Sequence, residues 1–146
     1  KGGGGTFGKR YFAFKFPERF LQGISGISQL EATVVVIALK LWGPELQGMR
    51  FTIHCDNEAT VYVVNSGLSS EEYLQKCARE IAFLACKFQF ELKARHIAGV
   101  NNRLPDILSR CAIDESFMAK FLNLTGHSWT RDYFDVDDLL GFSSPW

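Results

Sequence analysis

At 146 residues, with 47% apolar and 22% charged residues, the chain has the length of one domain and a composition able to bury a core. Sixteen basic residues balance sixteen acidic ones, so no global field points to a nucleic-acid partner, and any such partner must be met by a local basic patch. No apolar run reaches the length of a membrane span and nothing reads as a secretory leader, while four dispersed cysteines, Cys55, Cys77, Cys86 and Cys111, lack any C-x-x-C pair and read as reduced core thiols of an intracellular protein, cytoplasmic or nuclear.

The chain opens on KGGGGTF rather than on Met, which reads as a piece of something longer. Residues 2–5 are glycines that lead into TFGKRYFAFKF, where Tyr11, Ala13 and Lys15 alternate with Phe12, Phe14 and Phe16. That pattern predicts one or two strands around a Gly8-Lys9 turn, stopped by Pro17. A connection follows to Ile27. Ser28 to Trp42 is the clearest helix: Leu30, Val34, Ile37, Ala38 and Leu41 recur at helical spacing, Ser28 and Glu31 form an S-x-x-E capping box, and Gly43-Pro44 closes it.

Met49 to Cys55 alternates apolar and polar residues as a half-buried strand does, and stops at Asp56-Asn57. A short helix spans Asn57 to Val64, closed by Asn65-Ser66-Gly67. A long helix follows, capped by Ser69 or Ser70, with a stripe of Tyr73, Leu74, Cys77, Ala78, Ile81, Leu84, Ala85 and Phe88. Phe88 to His96 alternates again as a strand. After a loop, Pro105 opens a helix to about Cys111. Ser116 to Leu124 is a short helix, and Thr125 to Trp146 reads as irregular.

Three carboxylates on separate elements, beside a histidine loop, suggest a divalent-metal site for phosphoryl transfer. Two-metal chemistry needs converging carboxylates that hold two ions roughly 4 Å apart, and Mg²⁺ takes hard oxygen ligands. The candidates are Glu31, Asp56 and Asp106, with His96 as a proton shuttle. Each has a structural alternative. Glu31 closes the capping box, Asp56 caps the helix after its strand, Asp106 steadies a helix N-terminus by about 0.3–1 kcal/mol, and His96 simply ends a strand. Lys93, Arg95, Arg103 and Arg110 flank the loop and either meet a phosphate backbone or form a solvated face. Asn57, Asn101 and Asn102 donate to ribose or bases, or make turns.

The stretches LEATVVVIALKLWGPELQGMRFTIHCDNEATVYVVNSGLSS and KARHIAGVNNRLPDILSR resemble the ribonuclease H domain of retroelement reverse transcriptases, in the DIRS-type and gypsy-like branch. The resemblance covers about residues 1–111, and its most specific part sets His96, Gly99, Asn102 and Asp106 within one short motif. It implies an α/β, ribonuclease H-like fold: a five-stranded mixed sheet in the order 3-2-1-4-5 with helices on both faces. It implies hydrolysis of the RNA strand of an RNA–DNA hybrid with Mg²⁺, or Mn²⁺ in its place, beside a reverse transcriptase domain in the same polyprotein. Glu31, Asp56 and Asp106 match the metal-binding carboxylates and His96 the loop histidine, with Asn57, Asn102, Arg95 and Arg103 as nucleic-acid contacts. Residues 112–146 form an extension that matches no domain.

The chain departs from that pattern. The family's first-strand Asp has no counterpart, since no acid precedes Glu18. The expectation is a catalytically incomplete module whose strands 2 and 4 lose their shared neighbour, unless Gly2–Phe7 supplies it. Pro105 stands where the pattern has Ala, and Cys55 where Thr is usual, which by alternation changes a core neighbour only. The alternatives are a non-catalytic nucleic-acid-binding or scaffold remnant and, more weakly, a transposase-type nuclease acting on DNA.

Overall fold

The computed structural model describes residues 1–145; Trp146, the last residue of the predicted irregular tail, lies outside the described residues. In chain order the elements are β1 (Gly2–Phe7), β2 (Arg10–Lys15), α1 (Glu18–Gln22), α2 (Ile27–Leu46), β3 (Arg50–Cys55), α3 (Glu58–Ser66), α4 (Glu72–Phe88), β4 (Glu91–His96), a 3-10 turn at Gly99–Asn101, α5 (Arg103–Arg110), α6 (Ser116–Leu124), β5 (Thr130–Arg131) and α7 (Val136–Leu140). The chain is α/β, and its contacts divide it into two compact units, residues 1–24 with 99–138 and residues 25–98 with 139–146. Among the described residues, no helix is long and apolar enough to cross a membrane.

The expected single sheet of five strands is not formed. One sheet has the order β1-β2-β5 and the other is the pair β3-β4. Strand β5 is two residues long and pairs in parallel with β2.

In the first unit, β1 and β2 form an antiparallel hairpin in the register Gly2 to Lys15 through Phe7 to Arg10. The glycines of β1 serve close packing. A Cβ on Gly4 would lie 2.4 Å from Leu108 Cβ, and one on Gly2 would lie 2.7 Å from the Ser109 carbonyl oxygen. Helix α5 therefore rests on the bare backbone of the strand, an approach only glycine permits. Gly4→Ala is expected to cost about 1–3 kcal/mol, the usual penalty for overpacking, read as a lowered urea midpoint. An unchanged midpoint would mean that α5 is free to shift. Tyr11, Ile107, Leu108 and Phe121 form a buried cluster in this unit, flanked by Phe117, Met118 and Trp129.

In the second unit, β3 and β4 pair in parallel, Arg50 with Glu91 through Cys55 with His96. Helix α2 packs on α4, and α3 packs on β4. Of the predicted α4 stripe, Leu74, Cys77, Ala78, Ile81 and Leu84 are buried, while Tyr73, Ala85 and Phe88 are half-buried. Helix α2 does not stop at Gly43-Pro44 but runs to Leu46 with Pro44 inside it. A Cβ on Gly43 would sit 2.4 Å from the Phe88 ring, so the glycine keeps the helix flat where that ring lies. Proline in the last turn forfeits only one backbone bond near the helix end. The start of α2 also differs. Its N-cap is Gly26, with no side-chain cap, and Gln29 Oε1 reaches back to accept from the Ser25 N–H at 2.8 Å. Ser28 and Glu31 thus lie inside the helix and form no capping box.

Beyond Leu124 the tail is more ordered than its sequence suggests. It contains β5 and α7, and Phe134 packs edge-on against Phe12 and Phe14, with ring centroids 5.7 Å from each. Arg10 Nε bonds Asp132 at 2.9 Å.

Candidate metal centre

Strand β3 ends at Cys55, and alternation exposes Thr52 and His54 while Cys55 turns inward at 7% exposure. Asp56 follows at the strand's carboxyl end, half-buried. Asn57 caps α3: its Oδ1 accepts from the Thr60 N–H at 2.8 Å and the Thr60 hydroxyl at 2.9 Å. The capping role open to Asp56 on sequence is therefore filled by its neighbour. Glu31 comes from the second turn of α2, past the capping positions. Side-chain donor atoms of Glu31, Cys55 and Asp56 all lie within 4.8 Å of one another.

Two of these donors are hard carboxylate oxygens, suited to an ion that keeps water ligands. The third is a sulfur. The alternation that reads Cys55 as a core neighbour is right about its burial, but its Sγ also faces the two carboxylates. The signal was its place next to Asp56 at the strand end. Burial pushes the Cys55 thiol up to about 11; the Asn57 N–H, 3.5 Å from Sγ, opposes this, and the charges of Glu31 and Asp56 add to it.

His96 ends β4 directly beside Cys55 in the register. It is exposed, and its Nε2 lies 3.3 Å from the Asp56 carbonyl oxygen. The neighbouring Ile97 N–H donates to the Cys55 carbonyl at 3.0 Å, which holds the histidine at the mouth of the site.

The other sequence candidates sit differently. Asp106 belongs to the first compact unit, in the opening turn of α5, where its Oδ2 pairs with Arg110 Nε at 3.3 Å. Asn102 is the N-cap of α5 without a side-chain cap bond, and its carbonyl accepts from the Asp106 N–H at 3.2 Å. Arg103, on α5, and Arg95, on β4, are exposed. The Asn57 amide is engaged on both sides, since its Nδ2 donates to Ser28 Oγ at 3.3 Å. Within the second unit, then, the structure gathers Glu31, Asp56 and His96 around the end of β3 and adds Cys55 to them.

Compared with known proteins, the chain matches no family model, no curated protein and no solved structure.

Proposed function

We propose that the chain is the ribonuclease H module of a retroelement polyprotein, acting with Mg²⁺, or Mn²⁺ in its place, on the RNA strand of an RNA–DNA hybrid beside a reverse transcriptase domain. The observation that carries this reading is the meeting of Glu31 and Asp56, from α2 and the end of β3, with donor atoms within 4.8 Å. The motif of His96 to Asp106 supports it.

Glu31 and Asp56 are the residues that would hold the ion, each offering hard oxygen ligands. Bound there, a divalent ion would supply charge neutralisation at the scissile phosphate and activation of water. His96, exposed and held beside the Asp56 carbonyl, would move a proton at the leaving oxygen. Arg95 and Arg103 would meet backbone phosphates, each weakening binding without changing sequence preference when removed.

The test is cleavage of a labelled hybrid, with Mn²⁺ binding followed alongside. Mn²⁺ is expected to broaden the amide resonances of Glu31 and of residues 55–57, and Asp56→Asn to abolish that broadening. Without an acid before Glu18, residues 1–146 are expected to cleave very little. A longer protein in which an Asp-bearing strand precedes Lys1 is expected to cleave in Mg²⁺. In that protein Asp56→Asn should cost orders of magnitude, because bound metal supplies several kcal/mol of charge stabilisation and each ~1.4 kcal/mol is tenfold in rate. A longer protein that binds hybrid without Mg²⁺ and never cleaves it would instead favour the non-catalytic remnant.

A further inference from the structure

We propose that the exposed face of the β3-β4 pair is a docking track for one phosphodiester strand, gripped by Lys93 and Arg95 with Thr52 and His54 opposite them. The inference deepens the proposed function and rests on it for the choice of nucleic acid over other polyanions. The register places Thr52 beside Lys93 and His54 beside Arg95, and all four are exposed. Alternation turns them to the side of the pair away from Cys55, which meets the Glu31 carboxylate. Arg95 therefore meets phosphates that lie outside the cleavage site, and Lys93, Thr52 and His54 extend its reach along the strands.

The charge on this face is uneven. At the amino ends of the strands, Arg50 Nε pairs with Glu91 at 2.9 Å. Toward the carboxyl ends, Lys93 and Arg95 have no acidic partner among the described residues. The face is thus positive at the end beside the metal centre, the end at which α/β sheets bind ligands. Lys93 and Arg95 stand two positions apart, roughly 6.6 Å along the strand, close to the separation of successive phosphates in an extended nucleic-acid chain. The two strands lie about 4.8 Å apart, a width that seats one backbone. No Phe, Tyr or Trp stands among the alternating positions of this face, so it offers no platform for bases and reads the backbone without sequence preference. Charged side chains also guard sheet edges against strand addition. On β4 that guard is already present, because the Asn65 side chain accepts from the Ala94 N–H at 2.8 Å and donates to the Ala94 carbonyl at 2.9 Å. The two cations are left for another role, and a phosphodiester chain is the complement of their charge and spacing.

The experiment is a fluorescence-anisotropy titration of a labelled oligothymidylate with the 146-residue chain, in EDTA and over a series of salt concentrations. Wild type is expected to bind with an affinity that falls as salt rises. Lys93→Ala and Arg95→Ala should each weaken binding several-fold and reduce the slope of log affinity against log salt by about 0.7, the counterion release per phosphate on a single strand. Glu91→Gln, which frees Arg50 to join the face, should tighten binding. Lys120→Ala, which removes an exposed cation on α6, should change neither affinity nor slope. Amide resonances give a second reading: the oligonucleotide should shift those of residues 52–54 and 93–95. An affinity and slope unmoved by both alanine variants, or shifts confined to other residues, would overturn the track. Oligoglutamate of equal charge binding as tightly as the oligonucleotide would overturn the choice of a phosphodiester. Because EDTA removes divalent ions and no cleavage is measured, absence of hydrolase activity leaves each of these outcomes intact, and loss of the track leaves the cleavage test intact.

Discussion

Glu80→Ala is expected to lower the unfolding free energy by about 3–5 kcal/mol, the cost of removing one partner from a buried ion pair. Glu80 is fully buried on α4, and its Oε2 lies 3.4 Å from Lys40 Nζ on α2, itself only 11% exposed. The Ser143 N–H lies 2.8 and 2.9 Å from the two carboxylate oxygens, and the Ser144 N–H donates to Oε1 at 2.7 Å. Lys40 donates in turn to the carbonyls of Leu139, at 3.2 Å, and Gly141. One ion pair thus fastens the segment from Leu139 to Ser144 onto α2 and α4. Alanine would strand the ammonium and leave two amides without their acceptor. Glu80→Gln keeps an acceptor oxygen and should lose less. Urea unfolding measures both, and hydrogen exchange should show the Ser143 and Ser144 amides unprotected in the alanine variant. A change below about 1 kcal/mol, the range of ordinary substitutions, would mean that the clamp contributes little.

Phe121→Ala should be comparably damaging, at about 3–5 kcal/mol for deleting a fully buried aromatic. Phe121 is 0% exposed. Its ring centroid lies 4.4 Å from that of Tyr11 and 6.0 Å from that of Trp129, and its cluster includes Ile107 and Leu108. Helix α6 therefore supplies part of the core that β2 and α5 share. Leu124, 45% exposed at the end of the same helix, is the reference site. Its alanine variant should fall within about 0.5 kcal/mol of wild type. If Phe121→Ala behaved like Leu124→Ala, residues beyond 112 would be an appendage rather than part of the first unit.

Much of the local structure was legible because its causes are local. Alternation marked β2, β3 and β4, and helical spacing marked α2 and α4, since each depends on which side chains a strand or helix turns to one face. Ser116–Leu124 was found at its observed bounds. What failed were choices between competing local signals. Ser28 reads as the cap of α2, but the helix starts at Ile27 after Gly26, and the Gln29 side chain reaches back to the Ser25 amide. Ser69 and Ser70 read as caps for α4, yet Glu71 is the N-cap. Burial raises the Glu71 carboxyl's pKa, but bonds from the Leu74 and Tyr73 amides outweigh it and hold it low. Gly43-Pro44 reads as a stop, but Phe88 and the packing of α2 on α4 carry the helix past it.

The candidate site divides along the same line. Glu31, Asp56 and His96 were named from sequence, where Cys55 read only as a core neighbour, and Asp56 at a strand end with Glu31 on the preceding helix is a local arrangement that periodicity can point to. That Cys55 faces the carboxylates, that Asn57 fills the cap, and that Asp106 pairs with Arg110 depend on side-chain directions and partners no pattern reports.

The sequence by itself determined the α/β class and the identity and order of the long elements, because nearest-neighbour preference and face periodicity act within a few residues. Only the tertiary structure decided which strands pair, that the glycines of β1 lie under α5, that Glu80 is a buried anchor within an apolar stripe, and that the aromatic tail folds into the core. Those outcomes are set by contacts between segments about 40 to more than 100 residues apart in the chain. Their energies come from burial and pairing, which a one-dimensional pattern does not contain.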